Sequence, residues 1–563
     1  MRIIRWLPRL VIPLLIAAAL VIDARIDQDP PTAAVDGREA LTRVVVPPPD
    51  ALTSSWFCPV VGMRDPVRGF GETTTEVLLT NMTGATASVS VELRGRTTGR
   101  QFVMAEVAPQ STGVVNTSDY ARDEVIGALV EASSGGLAVT RRFVSPHGVD
   151  EARCSSVLAP NWYIPVGDTQ ADALGLLAIM NPLPRDAIVD VTFASEAEFG
   201  PFVAPALTGM VVPAWSTVVV DVGEHARRRD VVAASVRART GRVAVDSFVA
   251  YDGSIGRRGF AAELASVNLG GRWLVPVAGI DDGTHLWVRV FNPSDEVAEV
   301  AASVVAEGLA GDRVAFAVAS HDVTELTISA PGELAPGLDT LLAPPGLPFG
   351  VSVVSQNDVP IVVWAETLVG TAASPLTDIA LASDRVDAAA ESVSELSGGE
   401  SSTVVAQTDE SASAGTQTGD PESDDADAEA VVEIRPPVLR AQSGLAFVPG
   451  IVQTSDRWLV VVGPEPGAEA FLTIMVDPLA TAAQSADPDA DPAVEGGSDR
   501  RVVVGTLNRE TVAVIDVPAS GVVTHRLGSG TTRLLASDTP FAVLLWQSRI
   551  GSVGLSVAHP LRW

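Results

Sequence analysis

The sequence predicts an all-β protein: tandem immunoglobulin-like antiparallel β-sandwich modules following one N-terminal membrane segment. Three observations predict it. The first is a unit that opens on Trp and ends an apolar run on Asn or Asp. Trp162 to Asn181, Trp273 to Asn292 and Trp458 to Asp477 share one spacing, and Trp56 to Asn81 is longer by a Gly/Asp/Pro loop near Arg64 to Gly71. The second is alternation at a constant offset beyond the Asn. Val89, Val91 and Leu93 stand against Ser88, Ser90 and Glu92, and Val189, Val191 and Phe193 against Asp190 and Thr192. Period two with β-branched residues is a strand with one dry and one wet face. The third is the lack of any sustained 3.6-residue apolar period in the modules, so few helices are expected.

Each unit continues in the same way. Pro293 after Asn292 and Pro182 after Asn181 offer no amide to a ladder and end the first run. Turn residues then lead into VVPAWSTVVVDV (211–222) or its relatives VAPQSTGVVNT (107–117) and LNRETVAVIDV (507–517). Late strands close the units: GGLAVTRRFV (135–144), GRVAVDSFV (241–249), VPIVVWAE (359–366) and TPFAVLLWQ (539–547). About six or seven short strands per roughly 105 residues is the count of an immunoglobulin-like sandwich. The alternative is a β-propeller or ring-like arrangement, prompted by Arg562-Trp563, which echo the Arg-Trp at 272–273 and 457–458. Propeller blades of about 40–50 residues argue against it. A Trp at one address in every copy reads as core. The competing reading is a platform for sugar rings, and the exposure of Trp215, Trp287, Trp364 and Trp546 separates the two.

The N-terminus carries Arg2, Arg5 and Arg9 before an apolar run, LVIPLLIAAALVI (10–22), so the rest of the chain is placed outside the cytoplasm. Residues 1–25 are a signal anchor or a signal peptide. Ile22-Asp23-Ala24-Arg25 makes a poor small-x-small cleavage site, which favours an uncleaved anchor over a removed signal. Residues 26–50 are a Pro-rich spacer. The modules are expected at 51–158, 159–270, 271–383 and 443–563. Between the last two, 384–442 is an acidic Ala/Ser/Thr/Gly stretch too poor in large apolar residues to offset its chain entropy, and is read as a disordered linker that proteases cut first, releasing the fourth module. The fourth module carries a second acidic insertion, 481–499. The chain's two cysteines, Cys58 and Cys154, flank the first module and read as a structural disulfide in an exported chain.

Little else has the pattern of chemistry. DPDADP (487–492) sets Asp487, Asp489 and Asp491 at calcium-loop spacing, but Pro492 and Ser498 stand where Gly and Glu are needed. His147, His225, His285, His321, His525 and His559 lack metal spacing, and Arg227-Arg228-Arg229 reads as a solvated turn. All 38 basic residues are Arg, and no nucleophile, zinc or phosphate-loop motif is present. A Ser-His-Asp set gathered from distant loops stays open. Net charge −31 argues against a nucleic-acid partner. No catalytic residue, metal site or cofactor is therefore expected.

FNPSDEVAEVAASVVAEG (291–308) followed by SVVSQNDVPIVVWAET (352–367), together with Trp56-Phe57-Cys58-Pro59, resembles an uncharacterised family of actinobacterial exported or membrane-anchored proteins. That resemblance implies β modules and export, and no activity. The expected role is a membrane-tethered extracytoplasmic scaffold or interaction protein of the cell envelope, whose partner is an envelope protein or polysaccharide. The alternatives are a cell-wall carbohydrate-binding protein and, behind it, an enzyme. On the scaffold reading, substitutions at His525, Asp477 or Asp487–Asp491 leave the cellular role intact, and loss of whole modules or of Arg2–Ile22 abolishes it.

Overall fold

The chain folds as tandem antiparallel β-sandwich modules. The computed structural model describes residues 46–369 and 444–561, apart from 64–73, 307–312, 330–339, 450–454, 462–468, 477–500 and some shorter stretches. The expected membrane segment, the acidic linker 384–442 and the insertion 481–499 lie outside the described residues. Among those described, no helix is long and apolar enough to cross a membrane.

The first module shows the plan. Its strands are β1 (Ser54–Met63), β2 (Thr74–Asn81), β3 (Ala87–Gly95), β4 (Gly99–Val107), β5 (Ser111–Asn116), β6 (Val125–Ala132), β7 (Leu137–Ser145) and β8 (Gly148–Arg153). They form two sheets, ordered β1-β6-β3-β4 and β5-β2-β7-β8. Alternation places Val77, Leu79, Val89, Val91 and Val130 between them, each fully buried.

The second module repeats the plan with β9 (Asn161–Gly167), β10 (Ala173–Asn181), β11 (Ala187–Ser195), β12 (Met210–Val212), β13 (Ser216–Asp221), β14 (Val232–Thr240), β15 (Ala244–Asp252) and β16 (Arg258–Leu264). Its sheets are β12-β11-β14-β9 and β13-β10-β15-β16. One short helix, α1 (Val222–His225), follows β13.

In the third module, β17 (Arg272–Val277), β18 (Thr284–Asn292), β19 (Ala298–Ala306), β20 (Arg313–Val318), β21 (Asp322–Ser329), β22 (Thr340–Leu342), β23 (Phe349–Ser355) and β24 (Val362–Val369) are followed by β25 (Gly444–Pro449). The sequence reading gives β25 to the fourth module. Instead it runs antiparallel along β24, with Trp364 opposite Pro449 and Val369 opposite Gly444. It holds the edge place that β8 and β16 hold in theirs. Residues 370–443 thus join two paired strands of one sheet.

The last strands are β26 (Ser455–Val461), β27 (Glu469–Val476), β28 (Arg501–Gly505), β29 (Thr511–Asp516), β30 (Val522–Leu527), β31 (Thr532–Arg549), β32 (Ser552–Ser556) and β33 (Ala558–Pro560). β31 pairs with β26 and β28 through its first half and with β27 and β32 through its second, so one strand joins both sheets.

The modules do not run out in a line. β8 contacts β16, β16 contacts β25, β25 contacts β32, and β32 contacts β8. This closed cycle fits the ring-like alternative that Arg562-Trp563 prompted. Module four meets module one again where Leu459, Leu507 and Leu561 enter the core cluster of Trp56 and Val77, and Thr112 Oγ1 lies 3.1 Å from Thr532 Oγ1.

Candidate functional site

The repeated residues hold the modules together. Trp56, Trp162, Trp273 and Trp458 are all buried. Trp162 Nε1 donates to the carbonyls of Ala159 and Val243 (3.2 and 2.8 Å), and Trp273 Nε1 to those of Gly270 and Ile361 (3.1 and 3.0 Å). Each carbonyl pair belongs to an isolated bridge that closes the sandwich. A buried indole needs such a partner, so the repeated Trp packs the core and ties an edge.

The repeated Asn is a clip. Asn292 Nδ2 donates to the carbonyls of Glu296, Val318 and Ala319 (2.6, 3.1 and 3.0 Å), and its Oδ1 accepts from the Ser294 amide (3.0 Å). Asn81 and Asn181 make the same set of bonds. The carboxamide supplies a two-hydrogen donor and a separate acceptor, the combination this set of bonds needs. Beside the clip, Gln110, Trp215 and His321 occupy one address with φ of 52°, 60° and 55°, each donating its amide to the preceding turn.

Cys58 and Cys154 are bonded, with Cα atoms 4.7 Å apart. The carbonyl and amide of Phe57 pair with Ser155 alongside. In module two the matching strands meet at Tyr163 and Ser266, where Ile164 and Ala265 fill the cysteine addresses as buried apolar residues. The disulfide is a covalent form of a contact that modules one and two both make when the last segment returns to the first strand.

Polar groups that sequence reasoning missed collect at the module junctions. Arg141 of β7 and Asp246 of β15 form an ion pair between modules one and two, both fully buried. Asp246 Oδ2 also accepts from the Val60 amide (3.1 Å), and Asp150 Oδ2 of β8 from the Ala262 amide of β16 (2.7 Å). Burial pushes Asp246 up to about 7 against the pull of Arg141, and Glu263 up to about 7 against Arg153 and Arg141. Asp150 is raised well above the usual carboxylate range, first by burial. At the next junction Tyr251 Oη lies 3.0 Å from Asp168 Oδ2 and 3.0 Å from Glu366 Oε1. Arg257 pairs with Asp168 and Asp172, and Arg289 with Glu366 and Glu325. Charged strand residues usually signal a solvent face, so only the assembly reveals these as interior.

The remaining candidates stay apart. Trp364 is buried, Trp287 is half-buried and stacked on His285 (5.7 Å), and Trp215 is 40% exposed, so these three form no solvent-facing row. The side chain of Trp546 and residues Asp477 and Asp487–Asp491 lie outside the described set. Arg227 and Arg228 are exposed in a turn tied to Thr169. His321 Nε2 meets Asp295 at 2.8 Å on the surface, and burial lowers the pKa of His525. No cluster of three potential metal ligands occurs among the described residues.

No family model and no curated protein matches the chain. A solved tetra-tandem repeat from the extending region of a large adhesion protein aligns at 10% identity over 87% of this chain and 95% of that one, with a TM-score of 0.08. A score that low carries no argument about fold or function.

Proposed function

We propose that the protein is a membrane-tethered, extracytoplasmic scaffold of the cell envelope, closed into a four-module ring. The observation that carries this reading is the fate of its polar groups. Arg141 and Asp246 pair across the junction of modules one and two, Tyr251 bonds Glu366 across the next, and the pairs of Arg257 with Asp168 and of Arg289 with Glu366 stand beside that bond. The Cys58–Cys154 bond supports an oxidising compartment. The apolar run 10–22 behind three arginines supports the tether, and the likeness of residues 291–308 and 352–367 to actinobacterial exoproteins supports the envelope.

Fractionation of cells producing the full chain tests it. The protein is expected in the membrane fraction, degraded by external protease once the wall is removed, and lost from that fraction when Arg2–Ile22 are deleted. Crosslinking in intact cells is expected to trap an envelope component. A cytoplasmic, reduced protein, or one substitution that ends its role while folding and export stay normal, would overturn the reading.

A further inference from the structure

One surface cluster is left over from ring assembly. It lies where β3 and β4 of module one meet the left-handed turn before β13. The Arg94 guanidinium sits 4.8 Å from the centroid of the Trp215 ring. Arg100 stands between two aromatic rings, 5.6 Å from Trp215 and 5.4 Å from Phe102. Glu92, itself buried, accepts from Arg94 Nε (2.8 Å) and from Arg100 Nε, and so holds both guanidinium planes. Trp215 is 40% exposed, Phe102 60% and Met104 69%.

The chemistry of this row is specific. Two arginines, Arg94 and Arg100, share one carboxylate, Glu92, in a chain of net charge −31. Arg94 is 5% exposed, and its two terminal nitrogens have no hydrogen-bond partner among the described residues. The cluster thus has positive charge in excess of what its own neighbours neutralise. Arg100 keeps its Nε on Glu92 and its outer edge toward solvent, the edge that grips a planar anion through two N–H groups. The flanking rings offer flat apolar faces. Three exposed apolar side chains broken by a guanidinium are too small a patch for a protein interface, which buries about 800 Å² per partner. Rings on either side of a cation suit successive sugars of a polymer that bears anionic groups.

We propose that Trp215, Arg100 and Phe102 bind an anionic polysaccharide, with sugar rings laid across the two aromatic side chains and the acidic group on Arg100. The site does not depend on the tether or on the scaffold reading.

The test uses the purified exported chain and four immobilised probes: polygalacturonate, a glycerol-phosphate polymer, neutral dextran and polyglutamate. Binding to polygalacturonate or to the glycerol-phosphate polymer is expected, and which of them binds separates a carboxylate from a phosphate. Trp215→Gly, which suits the turn, and Phe102→Ala, on an exposed strand face, should each weaken binding about ten-fold, the size of one lost aromatic contact. Arg100→Gln should weaken it at least as much, with circular dichroism unchanged for all three. Three results would overturn the proposal: no binding to either anionic glycan, equal binding to dextran or polyglutamate, or wild-type affinity in both aromatic variants.

Discussion

The junctions on the two sides of the ring are built from different chemistry. Between modules one and two, Arg141, Asp246, Asp150 and Glu263 are buried among Val60, Phe143, Phe248 and Phe260. Around module four the described core contacts are apolar, with one hydroxyl pair, Thr112–Thr532, beside them: Leu274 meets Met475, Val522 and Ala542 on one side, and Leu459, Leu507 and Leu561 enter module one on the other. A buried ion pair repays its desolvation only in one geometry, so it fixes how modules dock while adding little net stability. Apolar contact supplies stability and tolerates small shifts. The ring is thus registered on one side and glued on the other.

The sharpest test of that division is Asp246→Ala, which strands a buried guanidinium and should cost about 3–5 kcal/mol, read from the denaturant midpoint of the full chain. Arg141→Met with Asp246→Leu should return close to wild type. A double variant as damaged as the single one would break the comparison. On the glued side Met475→Ala removes a fully buried side chain and should cost about 2–5 kcal/mol. Gly350→Ala should cost about 1–3 kcal/mol, because its new methyl would meet the Met475 sulfur. The two combined should cost less than their sum, since the methyl enters the space left by Met475.

A smaller effect separates the sides by pH. Folded Asp246 and Glu263 titrate near 7, whereas in an unfolded chain they titrate near 4. Raised carboxyls stabilise fully below about pH 4, and that contribution is lost as pH rises to about 7. The melting temperature should therefore fall between pH 5 and pH 7, and Glu263→Gln should flatten the fall. A profile unchanged in that variant would remove Glu263 from the account. Smallest of all, Thr532→Val, which breaks the hydroxyl pair with Thr112, should cost about 1 kcal/mol or less by the same denaturant measure.

Much of the module was legible in the sequence because its signals are local. Trp162 to Asn181 fixes a strand by spacing, the alternation from Val189 fixes a face, and Cys58 with Cys154 needed only an oxidising compartment. What lay beyond reading was assembly. Arg141 and Asp246 look like solvent-facing strand residues, and only a second module folded against the first makes them interior. Trp215 looked like one more aromatic, since nothing local announces a left-handed turn without Gly. The strand Gly444–Pro449 was assigned to the wrong neighbour because chain order suggested it, whereas its partner waits at Val362–Val369 across the acidic stretch.

That pairing changes what the acidic stretch does to the chain's connectivity. Six β24–β25 residue pairs, from Trp364–Pro449 to Val369–Gly444, bind the two ends of 370–443 to each other within one sheet. A protease cutting there opens a hairpin; it does not sever a tether. The two fragments should elute together under native conditions and separate only on denaturation, and they should reassemble when made as two polypeptides. The covalent step from module three to module four is the brief passage 450–454, so the acidic stretch is a place where the ring can acquire new ends and remain a ring.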